Sequence, residues 1–284
     1  LIEECMIAAN IAAARFLDRH RVPTLYRVHG LPELDRLETL RQFLREFGLW
    51  LPPAEEVKPE HLRDLLQKLG DRPDALLVST AVIRSMPQAV YQPGNIGHFG
   101  LALEHYAHFT SPIRRYPDLV VHRGIRQVLR EGDPQELIEW HGQFPVLGQD
   151  CSFRERRADE ATRSAVAWLK CFYMQDRVGE EFDGIVSGVV DFGLFVQLDG
   201  LQVDGLLHVS ALGADYFGRD SSGFRMIGRS SGKIFRLGDR VRVRVTNVSL
   251  DDRRVDFELA GAMETPRRPT AGRFQRQGGG RRRR

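Results

Sequence analysis

The stretch HFGLALEHYAHFTSPIRRYPDLVVHR, His98 to Arg123, packs more site-like chemistry into one run than any other part of the chain. Apolar residues alternate from Phe99 to Leu103, which predicts a half-buried strand. Thr110, Ser111 and Pro112 then form a turn whose hydroxyls and backbone N–H groups can face an anion, with Arg114 and Arg115 directly behind. Pro117 and Asp118 open a helix. A proline in the first turn gives up an N–H that would lack a partner there, and the aspartate complements the helix dipole. Leu119, Val120, Arg123 and Val128 carry the helix onward. Strand, hydroxyl loop, paired arginines and helix start together predict a phosphate site. Arginines ahead of a helix are also common as plain surface charges, and spacing alone leaves both readings open.

Upstream of this stretch, Ile2, Met6, Ala9, Ala13 and Phe16 or Leu17 follow a helical period that is already running at Leu1, with no capping residue ahead. The sequence therefore reads as the continuation of a longer one. Glu3 and Asn10, seven apart, fall on one face of this helix. Leu25 to His29 predicts a short strand. Leu34, Leu37, Leu40, Leu44 and Phe47 define a helix that Gly48 stops, and Pro59 and Gly70 bracket another with Leu62, Leu65, Leu66 and Leu69. A further helix is expected over Ala75–Ser85.

Downstream, Pro134–Trp140 reads as a helical piece and Cys151–Gln175 as a long helix. Its apolar stripe is Ala161, Ala165, Trp168 and Phe172, opposite a face of arginines and acids. At Gly179 the period changes from helical to alternating. Phe182–Val189, Leu194–Leu198, Val203–Val209, Arg240–Ser249 and Arg254–Leu259 predict five short strands with glycine turns, the pattern of a small closed β-barrel. Arg219–Phe235, rich in glycine and serine, reads as a long loop within it.

With 284 residues, 42% hydrophobic and 28% charged, the chain can form two cored domains. No run of about 18 apolar residues predicts a membrane span, and no signal-peptide order is present, so a cytoplasmic protein without membrane partners is expected. Cys5, Cys151 and Cys171 have no disulfide or zinc spacing and are expected as buried thiols. From Pro266 onward, Arg267, Arg268, Arg273, Arg276 and Arg281 to Arg284 give eight positive charges and no negative one, so the net +3 leaves the body at −5. Such a tail on an acidic body points to an anionic polymer, most simply nucleic acid.

Four segments resemble, in order, the ribonuclease II / ribonuclease R (RNB) family of 3′-to-5′ exoribonucleases. They are LIEECMIAAN, the His98–Arg123 stretch, CSFRERRADEATRSAVAWLKCFYM, and the module that begins GEEFDGIVSGVVDFGLFVQL. The resemblance covers nearly the whole chain, and the basic tail sets it nearer the ribonuclease R branch. It implies an α+β chain with residues 1–178 as the C-terminal part of a mixed α/β RNB catalytic domain. Residues 179–262 would form an S1-type RNA-binding OB-fold barrel, and residues 263–284 a disordered basic Gly/Arg-rich tail. The reaction implied is removal of 5′-mononucleotides from RNA with Mg2+, water attacking in line. Arg114 and Glu3 are then the catalytic candidates, Arg114 by stabilising charge that develops on the phosphate.

Thr110, Ser111 and Arg115 are the RNA-binding candidates of the loop, and Phe192, Phe195 and His208 match the family's ring-bearing positions, where bases stack. Arg242 and Arg244 are placed to reach the RNA backbone. Single-stranded RNA 3′ ends are the implied partner, and the tail is expected to offer contacts to ribosomes or decay factors.

Two-metal hydrolysis needs clustered carboxylates. The family keeps such an aspartate cluster, but here Asp251-Asp252 falls in a hairpin turn and Asp159-Glu160 in an arginine-rich helix. No metal ligand is assigned; the ligands, with the family's cold-shock-type domains, are expected upstream of Leu1, and this chain alone is expected to be inactive. The competing expectation is a non-catalytic single-stranded RNA-binding protein that uses only the barrel and tail.

Overall fold

The computed structural model describes residues 1–70, 72, 74–130, 142–220 and 223–261. The helical piece expected over Pro134–Trp140 and the tail expected from residue 263 lie outside the described residues.

Helix α1 (Ile2–Arg19) buries Asn10, Ala13, Ala14 and Leu17 against α5 (Tyr116–Leu129); of the expected apolar period Ala13 and Leu17 are buried, Ala9 and Phe16 half-buried, and Ile2 and Met6 exposed. Strand β1 (Tyr26–Val28) pairs antiparallel with β2 (Val90–Gln92). Between them, α2 (Leu34–Arg45), α3 (Pro59–Leu69) and α4 (Ala75–Ser85) stack their leucines into a separate core built on Leu37, Leu40, Leu44, Leu62, Leu65 and Leu69. Burying each such side chain contributes about 1.5–3 kcal/mol.

The strand expected over Phe99–Leu103 does not form. Phe99–Leu101 is a turn of 3-10 helix, Ala102 takes a left-handed conformation, and His98 and Leu103 exchange both backbone hydrogen bonds at 2.7 and 3.2 Å. The segment meets its neighbour only at its start, where His98 bridges to His29 and the Phe99 N–H donates to the His29 carbonyl at 2.9 Å, and then closes on itself, so the alternation beyond is not extended into a strand. The helix expected from Pro117 runs from Tyr116, with the proline in its first turn.

The long helix, α6 (Phe144–Met174), starts earlier than its sequence suggests and joins the two halves. Near its start, Gly148 lies against β2: a Cβ there would come 2.5 Å from the Tyr91 carbonyl oxygen. One turn on, the Ser152 hydroxyl accepts from the Tyr91 N–H at 2.9 Å and donates to the Gly148 carbonyl at 2.8 Å. At its far end, Cys171 and Met174 are buried in the barrel core. The expected stripe of Ala161, Ala165, Trp168 and Phe172 is exposed, because the helix is gripped at its two ends by different bodies and crosses open between them.

Five strands close the barrel in the order β10–β5–β4–β3–β9: β3 (Glu181–Val190), β4 (Gly193–Leu198), β5 (Asp204–His208), β9 (Arg240–Ser249) and β10 (Arg254–Leu259). β9 and β10 pair antiparallel, while β10 and β5 pair in parallel and seal the barrel. Alternation supplies the inward valines, such as Val241, Val243 and Val245 of β9. At Gly205 only a hydrogen fits, since a Cβ would overlap the Phe257 ring.

The long loop expected over Arg219–Phe235 is instead structured. β6 (Phe217–Arg219), β7 (Arg225–Gly228) and β8 (Ile234–Arg236) form an antiparallel sheet. The polar turns disguised strands only three or four residues long. This sheet docks on the helical half: Phe224 meets Phe43 at 4.6 Å between ring centres, Leu237 joins the leucine core, and Arg225 pairs with Glu46 at 2.7 Å and Asp220 at 2.6 Å. The cysteines are unpaired, but only Cys171 is buried; Cys5 is exposed on the polar side of α1 and Cys151 is half-buried.

Candidate functional site

The loop ahead of α5 is built around one buried carboxylate. Asp118 is 0% exposed. Its Oδ1 accepts from the Ser111 N–H and from Arg115 Nη2, each at 2.8 Å. The Ser111 carbonyl accepts from the N–H groups of Arg114 and Arg115, which curls the chain tightly back to the helix start. The two arginines therefore part company. Arg115, with a side chain 21% exposed, turns inward to Asp118, while Arg114 projects into solvent beside the fully exposed Ile113. Thr110 Oγ1, Arg115 Nε and Asp118 Oδ2 are buried without a hydrogen-bond partner among the described residues. Thr110 and Ser111 thus line the inner side of the loop that presents Arg114.

Behind this loop lies a cluster that sequence reasoning does not single out. Asn10 of α1 donates to the Tyr106 hydroxyl at 3.2 Å and accepts from the Phe109 N–H at 2.9 Å, and His122 of α5 donates to the Phe109 carbonyl at 2.9 Å. Tyr91 of β2 places its hydroxyl 2.8 Å from His108 Nδ1. Arg27 of β1 lies over the Tyr91 ring at 4.7 Å and pairs with Glu155 of α6 at 2.7 Å. The signal present in the sequence was the close succession of His105, Tyr106 and His108; Arg27 and Tyr91 stand in segments with no pattern of their own.

Burial pushes the Tyr91 hydroxyl up to about 12. Burial, followed by Arg115 and Arg27, pushes His108 down to about 3, and burial with the adjacent His29 pushes His98 down to about 4. Both imidazoles are neutral in the fold near pH 7. The ordinary value is 6.5, so acid protonates the unfolded chain first, and stability present above that pH is lost as pH falls from 6.5 towards about 4 for His98 and about 3 for His108. The urea midpoint is expected to hold steady above neutrality and to fall across this interval. A His98→Gln/His108→Gln variant should show a flatter profile, and an equally steep one would assign the acid limit to other groups.

On the barrel, Phe192 is 51% and Phe195 36% exposed, their rings edge to face at 6.5 Å. His208 lies opposite Gly193 in the β4–β5 register and is exposed, with Nδ1 2.8 Å from the Ser210 hydroxyl. The structure brings these three rings onto one face. Arg242 and Arg244 lie on β9 opposite the start of β3: Arg242 pairs with Glu181 at 3.2 Å, and Arg244 with Glu181 at 2.6 Å and Glu258 at 3.0 Å. Arg242 faces Asp183 in the register and Phe195 faces Gly188, a separation of roughly 16 Å along β3 at about 3.3 Å per residue. Glu3 is exposed on the first turn of α1. Among the described residues, no group of three or more His, Cys, Asp or Glu side chains is placed to hold a metal ion.

Residues 1–131 match the RNB domain family and residues 175–260 the S1 RNA binding domain. Ribonuclease R of Escherichia coli (strain K12) is 50% identical over 275 residues, which is 94% of this chain and 34% of that protein. Ribonuclease R of Vibrio cholerae is 50% identical over 277 residues, 94% of this chain and 33% of that protein. The chain thus spans about a third of the length of these curated relatives. The structure of Mycoplasma genitalium RNase R in complex with ribose methylated single-stranded RNA superposes with a TM-score of 0.85 at 25% identity, covering 91% of this chain and 41% of that one. Residues 1–131 thus belong to the RNB domain family and residues 175–260 to the S1 RNA binding domain family, and in this order they match the C-terminal part of ribonuclease R.

Proposed function

We propose that the chain forms the RNA-guiding and phosphate-facing part of a ribonuclease R-type 3′-to-5′ exoribonuclease, which acts in the cytoplasm on single-stranded 3′ ends and releases 5′-mononucleotides. The observation that carries this reading is the loop at residues 110–118. A buried Asp118 takes up Arg115 and leaves Arg114 as an exposed cation on a rigid mount. Preorganised cations of this kind stabilise charge that appears only in the transition state. The S1 match and the exposed rings of Phe192, Phe195 and His208 support a strand held on the barrel. Magnesium belongs to the proposal through the family alone. The carboxylates among the described residues do not fit it, since Asp118 is committed to Arg115 and the others are scattered, so no step is assigned to the ion.

That scatter favours a second reading, a single-stranded RNA-binding protein without catalysis. One experiment separates the two. This chain, given a labelled 3′-tailed RNA with magnesium, is expected to bind and to release no mononucleotide, whereas a protein of the relatives' full length that carries it should release mononucleotides in a chelator-sensitive way. Chelator-sensitive release by this chain alone would reveal a metal site that the described carboxylates do not make. A full-length protein that binds without cleaving would establish the second reading.

Replacing Phe192, Phe195 and His208 together by alanine should weaken oligonucleotide binding tenfold or more with base preference unchanged, since stacking contributes roughly 1–3 kcal/mol per base and tolerates any base. Fluorescence titration at fixed salt is the measurement, and full affinity in a folded triple variant would remove these rings from the RNA path. The basic tail is proposed to add salt-dependent contacts, to RNA or to ribosomes and decay factors.

A further inference from the structure

A groove of about 500 Å³ runs between the open middle of α6 and the barrel face made by β4, β5 and β10. Its floor is apolar, with Val166 and Ala167 from the helix and Leu206 and Val255 from the barrel. Phe195, half of the exposed ring pair, forms one lip. Arg163 on the helix wall and Arg253 on the barrel wall are exposed, and neither has an ion pair or a side-chain hydrogen bond among the described residues. Lys170 is held on the Gln202 carbonyl and at 3.5 Å from Asp204, the one acid of the lining. Arg254, also on the barrel wall, is occupied by Asp256 at 2.9 Å.

We infer that this groove is a second nucleotide-binding subsite, in which a base of a single-stranded RNA leaves the Phe192–Phe195 platform and lies on the apolar floor while Arg163 and Arg253 hold flanking phosphates from opposite walls. The inference rests on the RNA reading above. Two facts select a nucleic acid strand over an apolar peptide as the occupant. The floor is continuous with exposed aromatic rings that suit stacking. The two uncommitted cations flank an apolar floor and can each take an anion, which is the layout of a base between the phosphates of a chain. The groove's volume lies within the range of small-ligand sites.

The test uses the whole chain with a fluorescent oligouridylate. Arg163→Gln/Arg253→Gln should bind about tenfold more weakly, and its slope of log affinity against log salt should be shallower by about 1.4, two phosphates at about 0.7 each. Val166→Trp, which fills the floor at an exposed position without touching charge, should also lose about tenfold while keeping the wild-type slope. Photo-crosslinking of a 4-thiouridine oligonucleotide to the unmodified chain should label peptides containing Val166 or Val255. If both variants bind like wild type and no such peptide is labelled, while Phe192→Ala/Phe195→Ala loses affinity, the groove is off the RNA path and is left to a protein partner, and the RNA reading stands. If the unmodified chain fails to bind the oligonucleotide, both fall together.

Discussion

Asp118→Ala is expected to destabilise the fold by roughly 3–5 kcal/mol, the cost of breaking a buried ion pair and leaving the other charge without its partner. Asp118 is 0% exposed and Arg115 21%, so solvent screens this pair little, and the Ser111 N–H loses its acceptor at the same time. Domains of this kind are stable by only about 5–15 kcal/mol, so the variant should lose a large share of its margin. Asp118→Asn keeps an oxygen for the Ser111 N–H while removing the charge, and should fall between the two. Urea denaturation followed by circular dichroism would measure both. A loss below about 1 kcal/mol for Asp118→Ala would show that the loop is anchored by something other than this carboxylate.

Arg114→Ala, in a protein of the relatives' full length, should lower turnover by about 10²- to 10³-fold with little change in RNA affinity. The asymmetry is the informative part. An interaction formed only as charge develops on the phosphate appears in the rate constant, whereas one shared with the bound ground state appears in affinity. Arg114 suits the first case because it is exposed, has no side-chain hydrogen bond or ion pair among the described residues, and is mounted on a loop held by the Ser111 carbonyl. Single-turnover release of labelled mononucleotide, with binding measured separately under chelator, distinguishes the two. A variant that turns over normally would remove Arg114 from the reaction, and one that loses affinity and rate in equal measure would make it a binding residue. The contrast with Arg115 is a further check: Arg115→Ala should behave like Asp118→Ala and lose stability, since its guanidinium serves the loop.

Much of this architecture is written in local pattern. Leucine spacing places α2, α3 and α4, Pro117 sets the start of α5 near its observed first residue, and alternation marks all five barrel strands within a residue or two. These signals survive because each element buries one face and the period records that face directly. The shared loop of hydroxyls and arginines before α5 is legible for the same reason, as every residue in it lies within nine positions of the next element.

Other features depend on contacts between segments far apart in the chain. Phe99–Leu103 has a strand's alternation, yet after one bridge to His29 the chain turns and His98 and Leu103 bond to each other. The apolar stripe of α6 lies open because the helix is held by Tyr91 at one end and by the barrel core at the other. Tyr91, His108, Arg27 and Glu155 become one cluster only when β1, β2 and α6 converge, and no spacing along the sequence encodes that meeting. Arg114 and Arg115 are chemically the same residue one position apart. Which of them stays exposed follows from the backbone path through Ser111, which brings only Arg115 to the buried carboxylate of Asp118, where an uncompensated charge would be costly.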